Sequence, residues 1–319
     1  MGRIIIGLDI SKKNFDVALT VDGQKWLHRL FLNHVKGFEA LFNWLQHKSV
    51  SSATVVLEAT GRYGEDVAQF LYDKGFSIHV VNPAQIKFFG KSKLSRAKTD
   101  KKDARLIGEF ALTHPHLKQW KPLSESHRKL RELYRYLVSL KGDRAKQLTR
   151  LESARDEDVH ALISQHINFL NRQIKDLEHK IEGIITHTSE LKEKIDLLYT
   201  IPCVGEMVAW GILSECPALE NFQNAHQLAA FAGLNPWTYQ SGTSVRGRGR
   251  ISKVGSQDLR KLLYMPAMGA MSHNPVIKAF AQRLKDKGKN GKVIVVACMR
   301  KLLNIIYGVV TKQLPFHAG

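Results

Sequence analysis

The sequence predicts three consecutive regions: an α/β N-terminal domain over residues 1–120, a basic helix and coiled-coil segment over 121–200, and a mainly α C-terminal domain over 201–319. Short β-rich apolar runs alternate with helical patterns before residue 120. A four-three apolar repeat then runs from 163 to 198, and apolar helices separated by Pro, Gly and Ser turn signals follow residue 201. With 319 residues, 44% of them hydrophobic, the chain can bury two or three modest cores.

Ile4-Ile5-Ile6-Gly7-Leu8-Asp9 reads as a buried strand, and Phe15 to Val21 alternates as a second, ending at the turn Asp22-Gly23. Lys25 to Leu32 completes a meander. A helix over about 36–48 carries Phe38, Leu41, Phe42 and Leu45 at helical spacing, before a fourth strand at Thr54 to Glu58. Helix 63–74, strand Ser77 to Val81 and a helix opening near Thr99 finish the block. Three strands followed by alternating helix and strand is the order of an RNase H-like α/β fold.

Ile163, Ile167, Leu170, Ile174, Leu177, Ile181, Ile184, Thr188, Leu191, Ile195 and Leu198 form a heptad seam with one polar interruption at Thr188, which predicts a long coiled-coil helix. Leu130, Leu133, Leu137 and Leu140 support a preceding helix. An antiparallel hairpin within the chain and a dimerising coil between chains both satisfy this pattern. Beyond it, Ile201-Pro202-Cys203-Val204-Gly205 and the apolar helix Met207 to Leu213 fit a helix-hairpin-helix turn or a plain turn between packed helices. A helix near 225–232, a Gly/Ser/Arg loop over 241–255 and two further helices end the chain.

Charge is unevenly distributed. The formal net charge is +19, with residues 87–155 at 19 Lys+Arg against 7 Asp+Glu and residues 236–319 at 15 against 2, separated by an acidic stretch over 156–235. Two basic blocks held apart fit polyanionic partners, since basic surface releases counterions from phosphates. Three cysteines without CxxC spacing indicate neither a disulfide framework nor a zinc site and fit a reducing cytoplasm. No stretch reads as a membrane span or a targeting signal.

Asp9 and Glu58 end strands at the C-terminal edge of the expected sheet, and Asp100 and Asp103 lie three apart in a first helical turn behind Thr99. Singly, each has an ordinary structural explanation, such as complementing a helix dipole. Together, beside a basic block, four converging carboxylates call for hard cations, Mg²⁺ or Mn²⁺, two of which can drive phosphodiester cleavage. Lys98 and Arg105 flank them as nucleic-acid contacts. Ser241 sits in a loop with Arg246, Arg248, Arg250 and Lys253, behind Trp237 and Tyr239. The arginines and Lys253 could supply the cationic field that a serine nucleophile needs, and the two aromatics could pack on sugar or base; a solvated surface loop explains the same residues, and Ser244 competes for the role.

The strings Ile6-Gly7-Leu8-Asp9-Ile10-Ser11-Lys12, Leu57-Glu58-Ala59-Thr60-Gly61, Val81-Asn82-Pro83 and Lys98 to Arg105 resemble the DEDD transposases of bacterial insertion sequences. That class includes the Piv-type invertases and the bridge-RNA-guided recombinases. Phe231 to Pro236, Ser241 to Gly247 and Arg260 to Pro266 resemble it as well, so the likeness spans nearly the whole chain. It implies a RuvC-like domain with Asp9, Glu58, Asp100 and Asp103 in the DEDD positions and Ser241 as the catalytic serine. It also implies double-stranded donor and target DNA, a homodimer or homotetramer, in some members a structured guide RNA, and a place at the bacterial nucleoid. Three rival classes predict different chemistry. A RuvC-like, structure-selective nuclease would form no covalent intermediate, and a non-enzymatic nucleic-acid-binding protein would not cleave. An actin-like kinase shares the opening strand, but no second Gly-rich phosphate loop follows and the surface is too basic.

Overall fold

The computed structural model describes residues 4–59, 61–93, 100–237, 240–241, 245–246 and 250–318, with backbone only at 61–62, 100, 237, 240–241, 245–246 and 250. The chain divides into two compact units, Met1–Pro122 and Leu123–Gly319.

In the first unit, strands β1 (Ile5–Ile10), β2 (Asn14–Thr20), β3 (Leu27–Leu32), β4 (Thr54–Glu58) and β5 (Ser77–Val81) form one sheet in the order β3-β2-β1-β4-β5. The meander β1-β2-β3 is antiparallel, whereas β4 and β5 run parallel to β1. This mixed sheet is compatible with a RuvC-like fold. Strand alternation divides its side chains between two cores. Ile6, Leu8, Ile10, Val55 and Leu57 pack with Phe38, Leu41 and Leu45 of α1 (Val35–His47) and Val67 and Leu71 of α2 (Glu65–Asp73). Ile5, Val56 and Val81 face the other way, onto Ile86 of α3 (Pro83–Ser92) and Ile107, Phe110 and Ala111 of α4 (Asp100–Thr113).

The sequence reading missed α3, although its start signal is explicit: Asn82 and Gln85 form a capping box, with Pro83 at the first helical position. Helix α4 lies almost on the backbone of β1. A Cβ on Gly7 would fall 2.2 Å from the Ala104 carbonyl oxygen, and one on Gly108 would fall 2.5 Å from the Trp26 ring. Only glycines permit this approach. Leu112 lies beside Gly23, which follows the end of β2 that pairs with the start of β1. Helix α4 therefore runs antiparallel to β1, bringing its first turn to the C-terminal edge of the sheet.

The second unit opens with two long helices, α5 (Glu125–Ser153) and α6 (Glu157–Thr186), followed by α7 (Ser189–Tyr199) and α8 (Glu206–Glu215). Lys141 bridges to Glu178 at 2.7 Å and Arg144 donates to Asn171 at 3.2 Å, so α5 and α6 pair antiparallel within the chain. Leu170, Ile174, Leu177 and Ile181 are buried in one cluster with Leu130, Tyr134, Leu137 and Leu140, and Ile167 is buried on the same helix. The expected single helix through residue 198 is corrected to two: the chain breaks at His187-Thr188, where the seam's polar interruption fell, and Ile185 rather than Ile184 takes the buried place. The same core continues through α9 (Ala225–Phe231), α10 (Gln257–His273), α11 (Pro275–Asp286) and α12 (Gly291–Lys312).

Two expectations for this unit change. Where two terminal helices were expected, three close the chain. Helix α12, 22 residues with mean hydropathy 1.9 over its most apolar stretch, is long and apolar enough to cross a membrane by length and composition, contrary to the reading of no such stretch. Its Ile294, Cys298, Leu302, Leu303 and Ile306 are buried in the unit's core.

Candidate active site

The register of the central strands brings two of the sequence-predicted acids together. Leu8 of β1 pairs with Leu57 of β4, so Asp9 and Glu58 are the next residues on neighbouring parallel strands. Asp9 follows Ile5 and Gly7, and Glu58 follows Val56, on the face that α4 covers. Asp100 opens α4 and Asp103 lies three residues on, one turn before the crossing at Gly7, so the first turn of α4 reaches the edge where Asp9 and Glu58 emerge. Asp9, Glu58 and Asp103 are each half-buried. The side chain of Asp100 lies outside the described residues, and among those described no three His, Cys, Asp or Glu side chains stand together as a metal cluster.

Two features of this edge were not read from the sequence. Asn33 donates through Nδ2 to the Ser11 carbonyl at 2.9 Å and to the Tyr63 carbonyl at 3.0 Å, tying the turn after Asp9 to the turn after Glu58. Asp16 pairs directly across from Asp9 and meets His28 Nε2 at 2.5 Å. The hydrogen bonds in both join residues 12 or more apart, and no local pattern signals them. Exposed Lys12 and Lys13 sit on the β1–β2 turn beside Asp9 and add positive charge there.

The flanking cations differ in state. Arg105 donates to Glu109 at 2.8 Å and lies over the Trp26 ring, while Lys93 also pairs with Glu109. Burial would raise the Glu109 pKa, but the hydrogen bonds from Lys93 and Arg105 outweigh it and hold the carboxyl below its usual value. Arg105 is thus partly engaged by its own helix. Lys98 lies outside the described residues.

In the second unit, the expected loop over 241–255 is corrected to a β-ribbon followed by a turn. Strands β6 (Pro236–Trp237) and β9 (Arg250–Ile251) pair antiparallel, as do β7 (Gln240–Ser241) and β8 (Val245–Arg246). Ser241 pairs with Val245, Gln240 with Arg246, and Trp237 with Arg250. Of the described pairs, the one formed by Ser241 joins the residues closest in sequence. Tyr239, Ser244 and Arg248 lie outside the described residues, whereas Lys253 is exposed in a left-handed conformation, φ 55°, at the ribbon's foot.

Two charged groups of this unit are occupied structurally. Lys194, 5% exposed, is held between Glu190 and Glu220 at 2.8 Å each, and Arg135 clamps Glu215 through two 2.9 Å bonds. Burial opposes the Lys194 charge, but its hydrogen bonds to Glu190 and Glu220 leave its pKa raised. The three cysteines are unpaired, and burial raises their pKa values, that of Cys298 to about 11.

A carboxylate-edged α/β unit followed by a helical unit with a serine ribbon is matched at both ends by known families. The profile described as "Transposase", of the IS110 DEDD type, matches residues 6–157, and that of "Transposase IS116/IS110/IS902 family" matches residues 195–282. The chain is 35% identical to the pilin gene-inverting protein of Moraxella bovis, over 99% of this chain and 98% of that protein. It is 24% identical to the transposase for insertion sequence element IS1111A of Coxiella burnetii, over 99% of this chain and 92% of that protein. The protein is a DNA transposase or recombinase enzyme. It belongs to the IS110 family of insertion-sequence transposases.

Proposed function

We propose that this enzyme is a site-specific recombinase that cleaves and exchanges strands of double-stranded donor and target DNA. In this reading Asp9, Glu58, Asp100 and Asp103 hold Mg²⁺ or Mn²⁺, and Ser241 is the nucleophile. The observation that carries it is the sheet edge, where the β1–β4 register sets Asp9 beside Glu58 and α4 brings in the Asp100–Asp103 turn. The donor set fits a hard divalent cation, because every group is a carboxylate oxygen. Bound there, such cations would polarise a phosphodiester and stabilise its leaving oxygen.

Asn33 fixes the loops behind the two strand-end acids, and Lys12 and Lys13 draw the DNA backbone toward them. Ser241 Oγ attacks phosphorus. The new serine–phosphate ester forms as the bond to the sugar oxygen breaks, and that oxygen takes up a proton. The phosphodiester energy stays in the protein–DNA ester, so a second sugar hydroxyl can rejoin the strand without ATP. Lys98, Arg105, Trp237, Tyr239, Arg246, Arg248, Arg250 and Lys253 contact nucleic acid, and the amides at the start of α8, behind Gly205, offer a further phosphate contact.

The name of the Moraxella bovis relative supports DNA inversion as the outcome. Guidance by a structured RNA rests on the family resemblance, supported by two separate basic blocks. A homodimer or homotetramer supplies the two or more active centres needed to exchange strands, acting on DNA at the bacterial nucleoid.

The test is recombination between two cognate sites on a plasmid, with Mg²⁺ and the RNA transcribed from the flanking DNA. Recombinant junctions and a protein–DNA adduct that both vanish in Asp9→Asn and in Ser241→Ala support the reading. Free DNA ends without an adduct would make the protein a metal nuclease.

A further inference from the structure

The ribbon carrying Ser241 stands on a foot formed by residues 231–235 on one leg and 252–256 on the other. Three backbone bonds tie the legs: Ser256 N–H to the Phe231 carbonyl at 2.7 Å, Lys253 N–H to Gly233 at 3.2 Å, and Ser252 N–H to Asn235 at 2.9 Å. Two glycines make this closeness feasible. Gly233 has φ +67°, and a Cβ there would fall 2.4 Å from Arg260 Nη1; Gly255 has φ +141°, and a Cβ there would fall 2.2 Å from the Phe231 carbonyl oxygen.

Arg260 lies in the first turns of α10, whose N-cap is Ser256. Its side chain reaches back beneath the ribbon, where Nη1 donates to the Ala232 carbonyl at 2.9 Å and to the Gly255 carbonyl at 3.2 Å. One nitrogen thereby joins both legs. Among the described residues Arg260 makes no ion pair, so carbonyl dipoles alone receive this half-buried cation.

We propose that Arg260 is a positioning residue for strand transfer: it fixes the angle at which the ribbon leaves the body and so sets where Ser241 stands. The inference rests on the reading of Ser241 as the nucleophile. Ser241 follows Pro236 by five residues in sequence, so a small rotation of the chain at the foot carries through to its position. A misplacement of about 1 Å at a reacting atom costs roughly a hundredfold in rate. Arg260 acts through the backbone and does not touch the reacting atoms.

The experiment measures single-turnover adduct formation on a cognate duplex with the full-length protein, Mg²⁺ and any required RNA, for Arg260→Gln, Arg260→Lys, Gly233→Ala and Ser241→Ala. Arg260→Gln should lower the rate roughly a hundredfold. Arg260→Lys should fall between it and the wild type, because an ammonium restores a donor but not the fork. Gly233→Ala, which crowds the same nitrogen from the other leg, should match Arg260→Gln. In Arg260→Gln and Arg260→Lys, half-saturating DNA concentration and thermal midpoint should stay at wild-type values, a split that a general structural role would not produce; Gly233→Ala should keep the DNA concentration but lower the midpoint, because Ala is strained at φ +67°. Wild-type rates in Arg260→Gln, with the adduct lost in Ser241→Ala, overturn the Arg260 inference alone. Rate and DNA affinity falling together in Arg260→Gln and Gly233→Ala also overturn it. An adduct persisting in Ser241→Ala overturns the serine reading and this inference with it.

Discussion

Asp9 and Glu58 project from β1 and β4, which are paired along their length and buried between two helical layers. Ser241 sits instead on a ribbon of two-residue strand pairs, tied to the body at a foot by Arg260 and a few backbone bonds. The strand-end acids inherit their placement from a packed core, where a shift of one would disturb many contacts. The described contacts behind the serine are far fewer, a handful of bonds at the foot. In the proposed chemistry, the first arrangement suits a preformed cation site and the second a nucleophile that must reach a DNA strand and later release it.

The largest expected effect sharpens the rigid side of this contrast. Asp9→Asn, Glu58→Gln or Asp103→Asn should each lower strand cleavage by about 10³-fold or more, since a bound cation supplies several kcal/mol to phosphoryl transfer. The thermal midpoint should barely move. Cleavage within tenfold of wild type in two of these variants contradicts the assignment. A mixture of Ser241→Ala and Asp9→Asn proteins should regain part of the activity if acids and serine come from different protomers in the assembled enzyme; inactive mixtures would confine both to one chain.

The next effect breaks each scaffold without touching a reactive group. Ile181 is fully buried between helices of the second unit, so Ile181→Asp should cost several kcal/mol there and unfold that unit while the first keeps its own transition. The intrachain pairing of α5 and α6 directs the damage inward. Gly7→Ala forces α4 away from β1 and should destabilise the first unit by about 1–3 kcal/mol, with a fall in cleavage as the Asp100–Asp103 turn leaves the edge. Calorimetry resolves the two units, and an unchanged first transition in Gly7→Ala would contradict the close packing.

Much of the sheet was legible because its signals are local. Ile4 to Asp9 and Thr54 to Glu58 are apolar runs ending in acids, and five strands in their order were read from alternation and turn residues. The edge shared by Asp9 and Glu58 followed from fold order, but the pairing of Asp16 with His28 and the bridging role of Asn33 did not, because they arise from tertiary register. Helix α3 was missed although its capping box was present, since its Lys-rich and aromatic residues mask the buried stripe of Ile86 and Phe89. The seam from Ile163 to Leu198 had the right period, yet period cannot say whether the partner helix belongs to the same chain. The ribbon was read as a loop because its strand pairs are two residues long, below the length at which alternation carries information. Arg260 was legible only as part of a family string; its contacts need the foot to be folded.

The smallest expected effect concerns acid. Hydrogen bonding to Lys194 holds the Glu190 pKa below its usual 4.5 against burial, so the bond stabilises the second unit above the unfolded value and is lost as pH falls through the lowered one. The second unit of Glu190→Gln should therefore lose less stability than wild type between about pH 5 and 3. Parallel acid titrations of the two proteins would contradict this.

In the proposed reaction the DNA strand is held on Ser241 between cleavage and rejoining. The most direct measurement traps the reaction on a cognate duplex with Mg²⁺ and any required RNA, digests the adduct and locates the modified residue by mass spectrometry. The expected product carries a nucleotide on the peptide containing Ser241, attached at its Oγ, absent from Ser241→Ala and retained in Ser244→Ala. A nucleotide on Ser244 or any other residue, or an adduct that survives in Ser241→Ala, would contradict it.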